Sequence, residues 1–244
     1  MASSLLPSSP DVPLEEPSTP HFVPPLENGD RLTRAEFERR YEAMPHLHKA
    51  ELIEGEVHMP SPVRIKHHAK PHRNLSTFFG VYSHFTPGVG GGDNPTVRLD
   101  MDNEPQPDDV LYVEPEYGGR VRIDEDDYIN GGPELAAEIS SSSVSIDLGQ
   151  KMHVYLRNQV QEYVVWRVLD ETIDWFFWKD GNYQRLAATA DGIYKSQVFP
   201  GLWIDAPAIL SGNFAQAHAT LQQGLNSPEH AVFVAALQAK RLKK

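Results

Sequence analysis

Residues 134–169 read ELAAEISSSSVSIDLGQKMHVYLRNQVQEYVVWRVL, and this stretch decides the fold. ELAAEIS, residues 134–140, has the apolar composition of a buried strand. From about Ser145 to Asn158 the pattern turns helical: Asp147, Lys151 and Tyr155 stand at i, i+4 and i+8, on one helical face. QEYVVWRVL then returns to strand. Two further strand-like runs follow, TIDWFFWK (172–179) and NYQRLA (182–187), and DGIYKSQVFPGLWID packs against them as a strand and turn. From Ala206 to Lys244 the chain reads as helices with a solvated cationic end, KRLKK.

Upstream, DVLYV and TVRLDM read as strands, RVRIDEDDYINGGP as a charged excursion and the glycine-crowded GVGGGDNP as a connector, since it lacks the Lys-Ser/Thr of a phosphate loop. HHAKPHRNLSTFFGVYSHF is an amphipathic helix ending near Pro87. ELIEGEVHM is a hairpin around Gly55. Thr33 and Glu36 have capping-box spacing, so a helix begins near Arg34 and stops before Pro45. Residues 1–30, rich in Pro and Ser, form a disordered or extended tail. The expected fold is therefore α/β (α+β): a mixed sheet flanked by helices over residues 31–205, with a C-terminal helical extension over 206–244.

At 244 residues and 40% hydrophobic, the chain can bury one substantial core. No apolar run is long enough to span a bilayer, the N-terminus lacks a signal-peptide pattern and there is no cysteine. These features point to a cytoplasmic protein without disulfides or thiolate metal sites. A net charge of −12 argues against nonspecific coating of DNA. The charge is uneven, however. From Arg31 to Arg73 nine Lys/Arg face six Asp/Glu, whereas from Asn74 to Ala239 nine face 23. Such asymmetry fits a basic entry surface beside an acidic centre, and also fits an acidic surface that keeps the protein in solution.

Asp108 follows Pro107 at the entrance of the strand DVLYV, and Glu138 lies inside an apolar strand some 30 residues later. A carboxylate in such a segment needs a cation, a donor or a proton. Two carboxylates on neighbouring strands would suit a hard cation such as Mg²⁺. Lys151, on the helix that follows the Glu138 strand, can aim back at that site. An exposed Asp147–Lys151 pair, contributing a few tenths of a kcal/mol, is the bland reading of the same spacing.

Taken together, ELIEGE, His68, QPD, a strand with E-x-S, D-x-x-x-K-x-x-x-Y and Val160-Gln161-Glu162-Tyr163 resemble the putative restriction-endonuclease family of the PD-(D/E)XK nuclease superfamily, over about Leu32 to Asp205. The resemblance implies a restriction-endonuclease-like fold and Mg²⁺- or Mn²⁺-dependent endonuclease action on nucleic-acid phosphodiesters, DNA foremost, by a homodimer. It implies Asp108, Glu138 and Lys151 as the catalytic set, with Asp108, Glu138 and Glu51 holding the metal. Glu54 or Glu56 could stand in for Glu51. Ser140 stands where the superfamily's E-x-K lysine would be, so the lysine is shifted to Lys151 on the helix. Gln106, Asp147, His68 and Tyr155 are auxiliary candidates.

His68 and His72 have zinc-pair spacing, but H-A-K-P-H lacks the glutamate of H-E-x-x-H and Pro71 disfavours a mid-helix zinc motif. With Arg64, Lys66, Lys70 and Arg73 the same region could face phosphates. Trp166, Trp175, Phe176, Phe177 and Trp178 read as core or as a dimer face rather than as a base-stacking platform. Two other functions fit the sequence: a catalytically inactive nucleic-acid-binding or interaction module, and hydrolysis of a small phosphorylated substrate.

Overall fold

The computed structural model describes residues 22–241. In chain order the elements are α1 (Arg34–Glu42), β1 (Glu51–Ile53), β2 (Glu56–His58), a wide helical turn at Ile65–Ala69 and α2 (Lys70–His84). Next come β3 (Val89–Asp93), β4 (Val97–Arg98), β5 (Asp109–Val113), β6 (Arg122–Ile123), β7 (Ile129–Asn130) and β8 (Leu135–Ser140). A helix in three pieces follows: α3 (Val144–Ile146), a wide turn at Asp147–Lys151, and α4 (Met152–Arg157). The chain continues through β9 (Glu162–Arg167), β10 (Thr172–Lys179), β11 (Asn182–Arg185), β12 (Ile193–Lys195) and β13 (Trp203–Asp205), then α5 (Ala206–Leu210), α6 (Phe214–Leu225) and α7 (Pro228–Arg241).

Six strands form the central sheet in the order β11-β10-β9-β8-β5-β3. Only β8 and β9 pair in parallel, with Glu138 opposite Val165; the other neighbours are antiparallel. A parallel pair requires a crossover, and the α3–α4 helix supplies it. The sheet is mixed for that reason. All six residues of β8 are buried, and its faces part cleanly. Leu135, Ala137 and Ile139 join the main core with Leu75, Phe78 and Phe79 of α2, while Ala136 packs with Tyr155 and Tyr163 on the other side. By the alternation of a strand, Glu138 and Ser140 share that second face, under α4.

The hairpin β1–β2 turns through Glu54 and Gly55, both at positive φ (52° and 73°), the geometry a two-residue hairpin turn demands. Of the stretch read as a Pro/Ser-rich tail, residues 1–21 lie outside the described residues. In the remainder Leu26 is buried against Phe37, Leu52 and Val57, so packed structure starts before residue 31.

The structure corrects three further expectations. The capping box does not form: Thr33 makes no side-chain cap, and Glu36 instead accepts from Arg39 and Arg40, whose guanidinium groups hold its carboxyl down at about 2. The glycine-rich connector is the edge strand β3, paired residue by residue with β5. A Cβ at Gly90 would come within 2.6 Å of the Tyr112 ring and 2.5 Å of Glu114 Oε1, so the close approach of β3 to β5 excludes a side chain at that position. TVRLDM yields only the two residues of β4, and the charged excursion supplies β6 and β7, with which β4 makes a small separate sheet. The C-terminal helices form as expected, and their Ala217, Leu221 and Leu237 pack into the main core.

Candidate active site

β1, β5, β8 and the α3–α4 helix bring their polar residues to one place. Asp108 sits immediately ahead of β5, whose Asp109 pairs with Ala137, and its charge acts on Glu138 of β8. Lys151 Nζ lies 3.0 Å from Glu138 Oε1 and 2.9 Å from Glu51 Oε1. Tyr155, one turn further along the helix, donates its hydroxyl to the same Glu138 oxygen at 2.9 Å. Glu51 Oε1 also accepts the Gln106 backbone N–H at 2.7 Å. Glu54 and Glu56 point elsewhere, to Arg157 and Arg31.

Asp147 is buried, and its Oδ2 accepts hydroxyls from Ser140 at 2.7 Å and Ser143 at 2.6 Å. Tyr163 donates to the Asp147 carbonyl at 3.0 Å. Asp147, Lys151 and Tyr155 thus face the sheet together, as their spacing predicts. The exposed-pair reading of Asp147 and Lys151 fails, since both are buried and the lysine reaches Glu138 and Glu51.

Asp108 is held differently. Its Oδ2 accepts the Ile139 backbone N–H at 2.7 Å, and its Oδ1 lies 3.2 Å from His68 Nε2. The other His68 nitrogen is 3.1 Å from the Ile139 carbonyl, so the ring spans two acceptors. His72 Nε2 meets the Asp108 carbonyl at 2.6 Å. Pro71 occupies the first turn of α2, where its missing N–H is no loss, and therefore leaves the histidine spacing intact.

Burial sets the electrostatics. It pushes the Glu138 carboxyl well up; Lys151 opposes that push, while Asp147, Asp108 and Glu51 reinforce it. Burial alone would push Lys151 down, but the carboxylates of Glu138, Glu51 and Asp147 outweigh it and hold the ammonium charged. Asp108 would likewise rise with burial; the His68 hydrogen bond and charge overcome this and hold it low. The same contact raises His68. The cluster thus gathers four carboxyl groups, those of Glu51, Asp108, Glu138 and Asp147, around Lys151 and His68. Its oxygen donors suit a hard divalent cation.

The remaining candidates lie further out. Gln106 is buried but contributes its backbone; its amide donates to Thr96 Oγ1. Arg64, Lys66, Lys70 and Arg73 are exposed along the approach to α2, and none makes an ion pair among the described residues. Arg73, His68 and His72 line an open cavity of about 560 Å³. Sequence reading missed Lys49, which bonds the Asn94 side chain and the Gln106 carbonyl and acts electrostatically on both Asp108 and His68. Nothing in HLHKAEL beyond its position just ahead of Glu51 marks it out.

The mixed sheet, its single parallel crossover and the carboxylate–lysine cluster at the β5–β8 pair define a restriction-endonuclease-like fold. A model of the putative restriction endonuclease family (Uma2) matches residues 34–207, and the chain belongs to that family. Among solved structures, the chain is similar to a putative nuclease belonging to DUF820 from Anabaena variabilis, with a TM-score of 0.55 and 14% sequence identity. The match covers 74% of this chain and 98% of that one, and at this identity it speaks for the fold alone. Comparison with curated proteins finds no match.

Proposed function

We propose that the protein is a divalent-metal-dependent endonuclease that hydrolyses phosphodiester bonds, with DNA as its substrate and a homodimer as its working form. One observation carries this reading: a buried lysine lies within 3.0 Å of two carboxylates, one of which, Glu138, also feels the charge of Asp108 just ahead of β5. Membership of the family supports a nuclease-type activity. No helix among the described residues is long and apolar enough to cross a membrane, in keeping with a cytoplasmic enzyme.

Asp108, Glu138 and Glu51 would hold Mg²⁺ or Mn²⁺. When bound, such an ion polarises the phosphate and lowers the pKa of the attacking water. Lys151, kept charged by its neighbours, offers a fixed positive charge to the oxygens of a phosphoryl group as they gain negative charge. Tyr155 keeps its proton, because burial pushes its hydroxyl well up, and so it orients Glu138 as a donor. Asp147 and its two serines lock the helix that carries Lys151. The unpaired cations Arg64, Lys66, Lys70 and Arg73 would meet backbone phosphates at the mouth of the site.

The test incubates purified protein with single- and double-stranded DNA and RNA, in Mn²⁺, Mg²⁺ or EDTA. Cleavage that needs the ion and is lost in Asp108→Asn, Glu138→Gln and Lys151→Met supports the reading. If no substrate is cut and the three variants bind nucleic acid like the wild type, the chain is a binding module instead. A monomer mass by light scattering at micromolar concentration would remove the dimer.

A further inference from the structure

We infer that His68, His72 and Asp108 form a second, transition-metal site that shares Asp108 with the proposed Mg²⁺ centre and is selective for a borderline divalent ion such as Zn²⁺ or Co²⁺. Each residue offers one ligand atom, and the three atoms lie within 4.8 Å of one another. Around one ion with ligand bonds of roughly 2.0–2.2 Å, donors sit about 3 to 4.4 Å apart, so small side-chain rotations close the site. Two imidazoles and one carboxylate form a donor set unlike that of the Glu51–Glu138–Lys151 side, which has only oxygens and an ammonium. Imidazole nitrogen favours Zn²⁺ and its neighbours, whereas carboxylate oxygen alone favours Mg²⁺.

Outer contacts already hold the ligands in place. His68 Nδ1 is 3.1 Å from the Ile139 carbonyl, the arrangement in which a metal-bound histidine fixes its tautomer and presents Nε2. Asp108 Oδ2 is taken by the Ile139 N–H, which leaves Oδ1 toward His68. Two of the three ligands are therefore oriented by a single residue of β8. His72 stands one helical turn on and is braced against the Asp108 carbonyl. Both histidines line the 560 Å³ cavity, which gives an ion a path from solvent. The competing account is a plain His68–Asp108 ion pair with His72 as a strand cap. Only metal binding separates the two.

The site does not depend on the nuclease reading, although it shares Asp108 with that centre. The full-length chain, stripped with chelator, is titrated with Co²⁺ by visible absorption and with Zn²⁺ by calorimetry, without Mg²⁺, which would compete for Asp108. One equivalent should bind. His68→Ala and His72→Ala should each weaken it at least about tenfold, while His153→Ala, at an exposed position, should not. Should circular dichroism show an alanine variant misfolded, the glutamine variant replaces it. Absence of binding, unchanged affinity in both variants, or a loss confined to one histidine overturns the site. Nuclease assays fail or succeed independently of these titrations.

Discussion

The Ser140 hydroxyl donates to Asp147 Oδ2 at 2.7 Å and so ties the end of β8 to the helix that carries Lys151. Ser140 stands at the E-x-K position of the superfamily pattern, two residues after Glu138. Here that position anchors the helix, and the ammonium arrives from one turn beyond the anchor. Asp147 is buried and needs both of its hydroxyl donors. Ser140→Ala should cost on the order of 1–3 kcal/mol, the cost of leaving a buried acceptor short of a partner. Urea denaturation measures it, and a midpoint unchanged from wild type would show that the anchor is dispensable.

Lys151→Met should be more damaging to folding in the metal-free protein than Glu138→Gln. The methionine leaves the buried Glu138 and the partly buried Glu51 without their cation, a loss on the order of 3–5 kcal/mol. The glutamine removes a charge that burial already disfavours. Thermal melts of the two variants in EDTA should therefore rank Lys151→Met below Glu138→Gln. The reverse ranking would mean that the lysine contributes little to the buried balance.

Addition of Mn²⁺ should raise the melting temperature of wild type. An ion at 100 times its Kd contributes about 2.7 kcal/mol. In Asp108→Asn the gain should vanish, because this residue belongs to both proposed ion sites. A full Mn²⁺ shift retained in Asp108→Asn would place the ion elsewhere.

Stability should fall as pH rises from about 4.5 to 7 or 8. Glu162 is buried at the start of β9, accepting from Ser196 Oγ and the Gln197 N–H, and burial pushes its carboxyl up to about 7. Burial likewise lifts Asp109 to about 7 and Glu104 to about 8. A carboxyl raised on folding holds its proton in the native state after the unfolded chain has released it. Native protein therefore binds more protons across this window, and stability declines with pH. For Glu162 alone the decline is about 3 kcal/mol by the standard conversion. Denaturation at pH 5 and pH 8 should show it, and Glu162→Gln should flatten it. An unaltered pH slope in that variant would exclude Glu162 as a source.

The glycines of β3 should differ sharply. At Gly91 a Cβ would lie 2.9 Å from the Val110 carbonyl, and at Gly90 the Tyr112 ring intrudes, whereas Gly92 has open space. Alanine at 90 or 91 should cost on the order of 1–3 kcal/mol, while Gly92→Ala should be neutral or stabilising by roughly 0.5–1 kcal/mol. Equal behaviour of all three by thermal melting would mean that β3 does not pack as described.

Much of this was legible in the sequence. The spacing of Asp147, Lys151 and Tyr155 and the apolar setting of Glu138 announce a helix face turned to a buried carboxylate, because periodicity encodes burial directly. Glu51 could not be told from Glu54 and Glu56 by spacing, since the hairpin turn alone decides which glutamate points inward. Glycines 90–92 were read as a loop because composition cannot reveal an aromatic ring lying across a strand. The histidine cluster was hidden because Asp108 joins it through tertiary contact across 36 and 40 positions of chain. Lys49 had no local signal at all.

The family match stops at residue 207, before α6 and α7 begin. Every candidate site residue precedes that boundary, yet Leu221 and Leu237 help wall the core on which β8 lies. A version cut at the boundary would keep all the chemistry and lose the scaffold beneath it. The segment shared with the family is thus shorter than the packed body of this chain, and a fragment drawn at the family boundary would bare the apolar surface that α6 and α7 cover.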